Sequence, residues 1–427
     1  ELAQGWLAAL EALVRHVDAG GGGRSPSDLP LVRLTQGEIE RLERSLGGIE
    51  DILPLSPLQE GLLFHALYDA RAPDVYTVQQ ELELAGPLDE ERLAAAVRAL
   101  VGRHGSLRAC FRQDGLSAPV QVVVAAVDLP WRSVDLSSVP EPARAEELRS
   151  LLVQERAERF DLSRAPLLRF ALVRLAAERS VLVLTSHHIL LDGWSMPVLV
   201  EELLRLYRSC GDGSSLPRMT PYREYLGWLS RQDRASSLAA WCEALRGLEG
   251  GTRLGRAGSG HPASAPEEIS IELSAAVTAA LTREARRAGV TLASVLQSGW
   301  ALLLGRLSGR DDVVLGVTVS GRPAELAGIE RMVGLLINTL PLRVRVSPEL
   351  PIRELWHRVQ ESQSLLMAHQ HVGLAEIQGA AGLGDLFDTL FVLENYPVSR
   401  AELSVAGGEL RLSGIAGSDA THYALSL

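Results

Sequence analysis

Lysine is absent from this 427-residue chain, and all 42 of its basic residues are arginine. That excludes chemistry requiring a lysine of its own, such as a Schiff base or the lysine of a phosphate-binding P-loop. The arginine-for-lysine bias also points to a GC-rich bacterial genome. Cysteine is nearly absent: Cys110, Cys210 and Cys242 lie far apart, with no Cys-x-x-Cys pair. So sparse and odd a set fits a reducing cytoplasm and not a disulfide framework. No apolar run reaches the roughly 20 residues of a membrane span. The N-terminus lacks the basic-then-apolar layout of a signal peptide. Positive charge is in deficit, at a formal net charge of −11, which argues against a nucleic-acid surface. What is present is an ordinary globular composition, 46% hydrophobic and 22% charged, in a chain long enough for two lobes.

The organisation predicted is a helix and linker over residues 1–45, a lobe over 46–225 and a second lobe over 226–427. In residues 1–17, Leu2, Trp6, Leu10, Leu13 and Val14 recur at helical spacing. Four glycines and Arg24-Ser25-Pro26-Ser27-Asp28 follow, a linker by composition. A tethered apolar helix of this kind reads as part of a larger polypeptide from which one domain is taken. Strands are predicted at 75–84, 107–111 and 120–124, with a helix capped by Asp89 and running to about His104. In the second half the prediction is a strand at 269–273, helices at 275–288 and 292–307, and an apolar strand at 313–319.

The densest chemistry lies in Ser186-His187-His188-Ile189-Leu190-Leu191-Asp192-Gly193-Trp194-Ser195. It follows Val181-Leu182-Val183-Leu184, a buried strand by composition, and precedes a helix starting near Ser195 with Pro197 in its first turn. Two imidazoles and a carboxylate therefore end a core strand, with Asp192-Gly193 supplying a turn. Neighbours on a strand face opposite ways, so His187 is expected to point away from His188. The strand at 313–319 likewise ends in Ser320-Gly321-Arg322-Pro323, which suggests a site between the two halves. Gly193-Trp194-Ser195-Met196-Pro197 lacks the second glycine of a nucleophile elbow, and there is no Gly-rich phosphate loop. His369 and His371 lack acidic or cysteine partners at ligand spacing, so no metal site is expected.

The run resembles the HHxxxDG signature of the condensation-domain superfamily of nonribosomal peptide synthetases, whose HxxxD core chloramphenicol acetyltransferases share. Further motifs follow in family order. They are Leu55-Ser56-Pro57-Leu58-Gln59-Glu60-Gly61-Leu62-Leu63-Phe64-His65, then Arg103-His104 through Leu107-Arg108 to Phe111 (RHxxLRxxF). Tyr222-Arg223-Glu224-Tyr225-Leu226-Gly227-Trp228 has Glu where the family has Asp. Val333-Gly334-Leu335-Leu336-Ile337-Asn338-Thr339-Leu340, His369-Gln370-His371 and Phe391-Val392-Leu393-Glu394-Asn395-Tyr396-Pro397 complete the set. His187, His188, Asp192 and Gly193 are all kept, unlike in cyclization relatives. The 333–339 segment is unlike that of epimerization relatives, and no second N-terminal His-His pair marks a dual-function member. The chain ends at Leu427, where the resemblance implies one more strand and helix.

The resemblance implies an α/β (α+β layered) fold of two chloramphenicol-acetyltransferase-like lobes, a V-shaped pseudo-dimer with its active site in a tunnel between them. It implies amide-bond formation between thioester-bound acyl groups, delivered on 4'-phosphopantetheine arms by an upstream donor and a downstream acceptor carrier protein beside a neighbouring adenylation domain. The chain itself is expected to bind no cofactor or metal, nucleic acid or membrane. His188 takes the catalytic position. His187, Asp192, Gly193, Trp194 and Arg322 are motif support, with Arg322 the implied partner of Asp192. Ser195, Ser320 and Asn338 are expected to line the tunnel or substrate. An L- or glycine-type acceptor with a D-configured donor is implied by 55–61, 188–194 and the linker at 25–31. The alternatives are an inactive docking domain, an epimerization-type relative or a freestanding acyltransferase using a soluble coenzyme A thioester. The intact His-His-Asp set speaks against the first, and the helix and linker against the last.

Overall fold

A computed structural model describes residues 2–18, 23–68, 74–255, 267–394 and 410–427. Linker glycines 20–22 and residues 395–397 of the last motif lie outside them. The amphipathic first helix, α1 (Leu2–Asp18), leaves Leu2, Trp6 and Leu13 exposed. Next comes α2 (Gln36–Leu46), entered through a capping box in which Thr35 and Glu38 satisfy each other's backbone N–H groups. The first half continues with β1 (Ile49–Leu53), α3 (Pro57–Tyr68), β2 (Thr77–Ala85), α4 (Glu90–Arg103) and β3 (Ala109–Arg112). It closes with β4 (Val120–Val124), β5 (Trp131–Asp135), α5 (Glu141–Ala157), β6 (Leu168–Ala176), β7 (Arg179–His187), α6 (Ser195–Arg208) and α7 (Tyr222–Ser230). The second half holds α8 (Arg234–Leu245), α9 (Ala275–Ala288), α10 (Leu292–Ser308), β8 (Asp312–Val319), β9 (Asn338–Arg345) and α11 (Ile352–Leu366). It ends with α12 (Leu374–Ala381), β10 (Thr389–Phe391), β11 (Arg411–Ser418) and β12 (Leu425–Ser426).

The strands form three sheets, in the orders β1-β4-β3, β11-β2-β7-β6-β5 and β12-β10-β8-β9. In the five-stranded sheet both faces of β6 and β7 are covered. Leu168, Phe170, Leu172, Leu182 and Leu184 enter the main core with α4 and α6. Ala171, Val173, Val181 and Val183 face Leu151 of α5. This two-sided burial explains why 181–184 is an unbroken apolar run. The predicted helices at 275–288 and 292–307 match α9 and α10, each capped by the hydroxyl of the preceding residue, Ser274 or Thr291.

One expectation changes. Residues 269–273 form no strand: the segment is unpaired, and Ile269 and Ile271 are exposed. Alternation makes a segment able to enter a sheet, but a strand also needs a partner edge, and no described strand supplies one. Second-half segments also join the first half. β11 hydrogen-bonds to β2 in the first-half sheet, and Ile329, Met332, Val333, Leu335 and Leu336 pack in the first-half core. Apolar side chains there bury where a core is open to them, irrespective of chain order.

Gly321 stands in the loop leaving β8 with its backbone in the left-handed region, at φ 61°. A Cβ on it would overlap the Leu336 carbonyl oxygen. Positive φ alone costs an L-residue about 1–2 kcal/mol, and a backbone overlap adds to it. Gly321→Ala is expected to lose at least about 2 kcal/mol of stability by urea denaturation, whereas the open-space change Gly379→Ala leaves stability near wild type.

Candidate active site

The end of β7 is held from both sides. The His187 N–H donates to the Leu167 carbonyl (3.0 Å) and the His188 N–H to the Tyr76 carbonyl (2.8 Å). β7 ends at His187 and His188 already belongs to the following turn, so the two imidazoles sit in different surroundings. His187 is fully buried, whereas His188 is half-buried. His188 Nδ1 lies 3.0 Å from the Leu191 carbonyl oxygen. A carbonyl only accepts, so Nδ1 carries the proton and Nε2 keeps a free lone pair.

Asp192 is not the partner of His188. It is fully buried, and both carboxylate oxygens meet Arg322, Oδ2 to Nη1 at 2.8 Å and Oδ1 to Nη2 at 2.9 Å. Ser195 donates its N–H and hydroxyl to Oδ1, and the Leu336 and Ile337 N–H groups reach Oδ2. Bidentate pairing and backbone donors let a carboxylate stay charged away from water. Arg322 also stacks over the Trp194 ring at 5.3 Å, and Trp194 Nε1 donates to the Glu330 carbonyl. The strand ends of the two halves meet here, as their polar termini suggest.

Other expected residues are placed differently. Gly193 is not among the positive-φ glycines, so the turn does not use left-handed freedom there; its carbonyl accepts the Met196 N–H. Ser195 does not line open space. It is buried, and its hydroxyl bonds Asp192 and the backbone of Gly334. Asn338 is likewise internal, its amide donating to the Gln370 and Val372 carbonyls at 2.8 Å each. A polar group beside a buried chain reversal is drawn into satisfying backbone. Ser320 is exposed at the end of β8, and its carbonyl accepts from Arg322. His369 Nδ1 and His371 Nε2 both meet the Ser237 hydroxyl.

Several supporting residues carried no separate role in the sequence. Gln59 Nε2 donates to the Ile189 carbonyl, while its Oε1 accepts from Gln121 and the Ser56 N–H. The hydroxyls of Tyr222 and Tyr225 donate to the Leu335 and Leu336 carbonyls. His104 Nε2 (2.7 Å) and Arg103 Nε (3.0 Å) share Glu202 Oε2, tying α4 to α6. Burial pushes the Glu202 carboxyl up, but the His104 and Arg103 contacts overcome it and leave it below its ordinary range. The signal for these residues was their place in the Leu55, Arg103 and Tyr222 segments.

The Condensation domain family matches residues 49–427. The chain belongs to the condensation-domain family. It is 37% identical over 437 aligned positions to a linear gramicidin synthase of Brevibacillus parabrevis, covering 100% of this chain and 6% of that protein. It is 34% identical to surfactin synthase subunit 3 of Bacillus subtilis (strain 168), covering 83% of this chain and 28% of that one. The condensation domain thus spans a small part of these curated relatives. The first condensation domain of the calcium-dependent antibiotic synthetase, in complex with a substrate analogue, is similar at TM-score 0.68 and 28% identity, covering 80% and 81% of the two chains. The starter condensation domain of rhizomide synthetase, at TM-score 0.73 and 19% identity over 87% and 83%, shares the fold. The fold of this condensation domain is accordingly the chloramphenicol-acetyltransferase-like α/β arrangement.

Removing Arg322 strands a buried carboxylate, and breaking such a pair typically costs about 3–5 kcal/mol. Arg322→Ala and Asp192→Ala are each expected to lose that much in chemical denaturation. The double variant should lose less than the sum, because each single change breaks the same ion pair.

Proposed function

We propose that this condensation domain forms an amide bond between two carrier-delivered acyl groups. The amine of the acceptor aminoacyl group attacks the thioester carbon of the donor aminoacyl or peptidyl group. The new C–N bond forms as the C–S bond breaks. One proton leaves the amine, and the departing thiolate takes up a proton to become the carrier's free thiol. The observation that carries this reading is His188, with Nδ1 bound to the Leu191 carbonyl and Nε2 free, where the strand ends of both halves meet. Imidazole with an unprotonated ring nitrogen is a side chain suited to take that proton near neutral pH. Alignment supplies most of the rest, with effective molarities on the order of 10⁵–10⁸ M for well-held reactants. No protein nucleophile is needed, since a thioester is already activated, and Ser195 is committed to Asp192 and Gly334.

In this reading the donor and acceptor carriers bring their groups on 4'-phosphopantetheine arms from opposite ends of a tunnel between the lobes. The adenylation domain beside them loads the acceptor, and the assembly works in the cytoplasm. The family match and the 34–37% identity to gramicidin and surfactin synthases support it.

His188→Ala is expected to lower single-turnover amide formation by about 10²–10⁴-fold while circular dichroism and melting stay close to wild type. A folded His188→Ala variant with wild-type turnover would remove His188 from the reaction.

The donor is proposed to end in a D-residue, on the resemblance of residues 55–61, 188–194 and 25–31 to domains of that preference. Inverting the α-carbon exchanges side chain and amine within a fixed passage, so the wrong enantiomer leaves a polar group unpaired at a cost of about 1–3 kcal/mol. With D- and L-terminated donors competing on the upstream carrier, the D-donor is expected to react roughly ten- to a hundredfold faster. Equal rates or an L-preference would reject the assignment.

A further inference from the structure

His187 is fully buried at the end of β7, and its ring is fixed by two neighbours. Nδ1 lies 3.1 Å from the backbone nitrogen of Ile189, which can only donate to it. Nδ1 therefore carries no proton, and the ring proton sits on Nε2. Facing Nε2 at 3.3 Å is Oδ2 of Asp74, itself almost fully buried. The contact is an electrostatic one, not a well-aligned hydrogen bond, and no other described acceptor reaches Nε2. The second oxygen of Asp74 accepts the Tyr76 N–H at 3.1 Å, and the Tyr76 carbonyl accepts the His188 N–H. Asp74 thus touches both supports of His188: the strand beside it and the imidazole beneath the following turn.

We propose that Asp74 is a positioning residue for His188, acting by holding His187 in the Nε2–H tautomer so that Nδ1 can receive the Ile189 N–H. Were the proton on Nδ1, it would face the Ile189 N–H directly, and the turn from 188 to 191 would have to move. That turn also supplies the Leu191 carbonyl that fixes the His188 ring. A displaced turn therefore changes both the position of His188 and the direction of its free nitrogen. The charge state of Asp74 suits this role. Burial pushes its carboxyl up, but the His187 contact, the Tyr76 N–H and the nearby Arg159 overcome this and keep it ionised. A carboxylate only accepts, so it selects the Nε2–H form; an amide at the same place could donate to Nε2 and select the opposite one.

The test is long-range proton–nitrogen correlation on the ¹⁵N-histidine-labelled chain, with His187→Asn to assign the resonance, alongside saturation kinetics of amide formation. Wild type is expected to show His187 as the Nε2–H tautomer. Asp74→Asn is expected to shift it towards Nδ1–H and to lower kcat by about 10²-fold, the scale of a small misplacement of a reacting group, with the acceptor KM changed by less than about threefold. In a His188→Ala background, Asp74→Asn is expected to cause no further loss. A wild-type Nδ1–H tautomer, or a folded Asp74→Asn variant with unchanged kcat, would overturn the proposal. If Asp74→Asn does not fold, Asp74→Glu replaces it, and loss of the Nε2–H form in that carboxylate-retaining variant would count against the proposal. The kinetic arm rests on His188 acting in amide formation, whereas the tautomer readout needs no turnover, so failure of one is distinguishable from failure of the other.

Discussion

The buried pair of Asp192 and Arg322 is the constraint on which the site depends. The carboxylate ends the turn after β7, and the guanidinium stands on the loop leaving β8, so one ion pair closes the first half on the second. Burying two charges is favourable only when every lone pair and proton finds a partner. Here the partners come from the first N–H of α6 and from the 336–337 backbone. The carboxylate at the α6 N-terminus also lies at the favourable end of that helix's dipole. Because the oxygens of Asp192 are occupied in this way, the aspartate of the HHxxxDG run holds architecture, and the proposed proton acceptor is the second histidine, which it does not touch.

Motifs far apart in sequence serve the same small region. Gln59 from α3 holds the Ile189 carbonyl; Tyr222 and Tyr225 from α7 hold the Leu335 and Leu336 carbonyls. Each bond satisfies a carbonyl in a segment that is neither helix nor strand. A typical net contribution is about 1 kcal/mol, but leaving such a buried group unpaired costs about 1–3. The irregular backbone on both sides of Asp192 therefore depends on side chains more than any sheet strand does. Arg103 and His104 work at one remove, fixing α6 through Glu202, and α6 begins where Asp192 ends.

What was legible in the sequence was what is local. The 181–184 run, the Asp89 cap and helices α9 and α10 follow from periodicity and capping chemistry within a few residues. The pairing of Asp192 with Arg322 was legible only through the family resemblance, since 130 residues separate the two. The alternation at 269–273 misled because a strand is a property of two segments, and β11 escaped notice for the same reason, its partner β2 lying more than 300 residues earlier. Ser195 and Asn338 were legible as polar residues near the site, but not as residues turned inward. Their direction is set by which backbone groups the tertiary fold leaves unsatisfied.

The two adjacent histidines show how far backbone can decide side-chain chemistry. Both rings have their Nδ1 against a main-chain group of the same short turn. For His187 that group is the Ile189 N–H, which requires an unprotonated Nδ1; for His188 it is the Leu191 carbonyl, which requires a protonated one. Identical side chains one residue apart are thus held in opposite tautomers by donors and acceptors that no substitution of their own side chains would alter. The buried ring turns its proton towards Asp74, and the half-buried ring keeps its lone pair free. The direction of the His188 ring is therefore a property of the 187–191 turn, and that turn is held by Gln59 at the Ile189 carbonyl, by Asp192 at its end and by the His187 ring that faces Asp74 at its start.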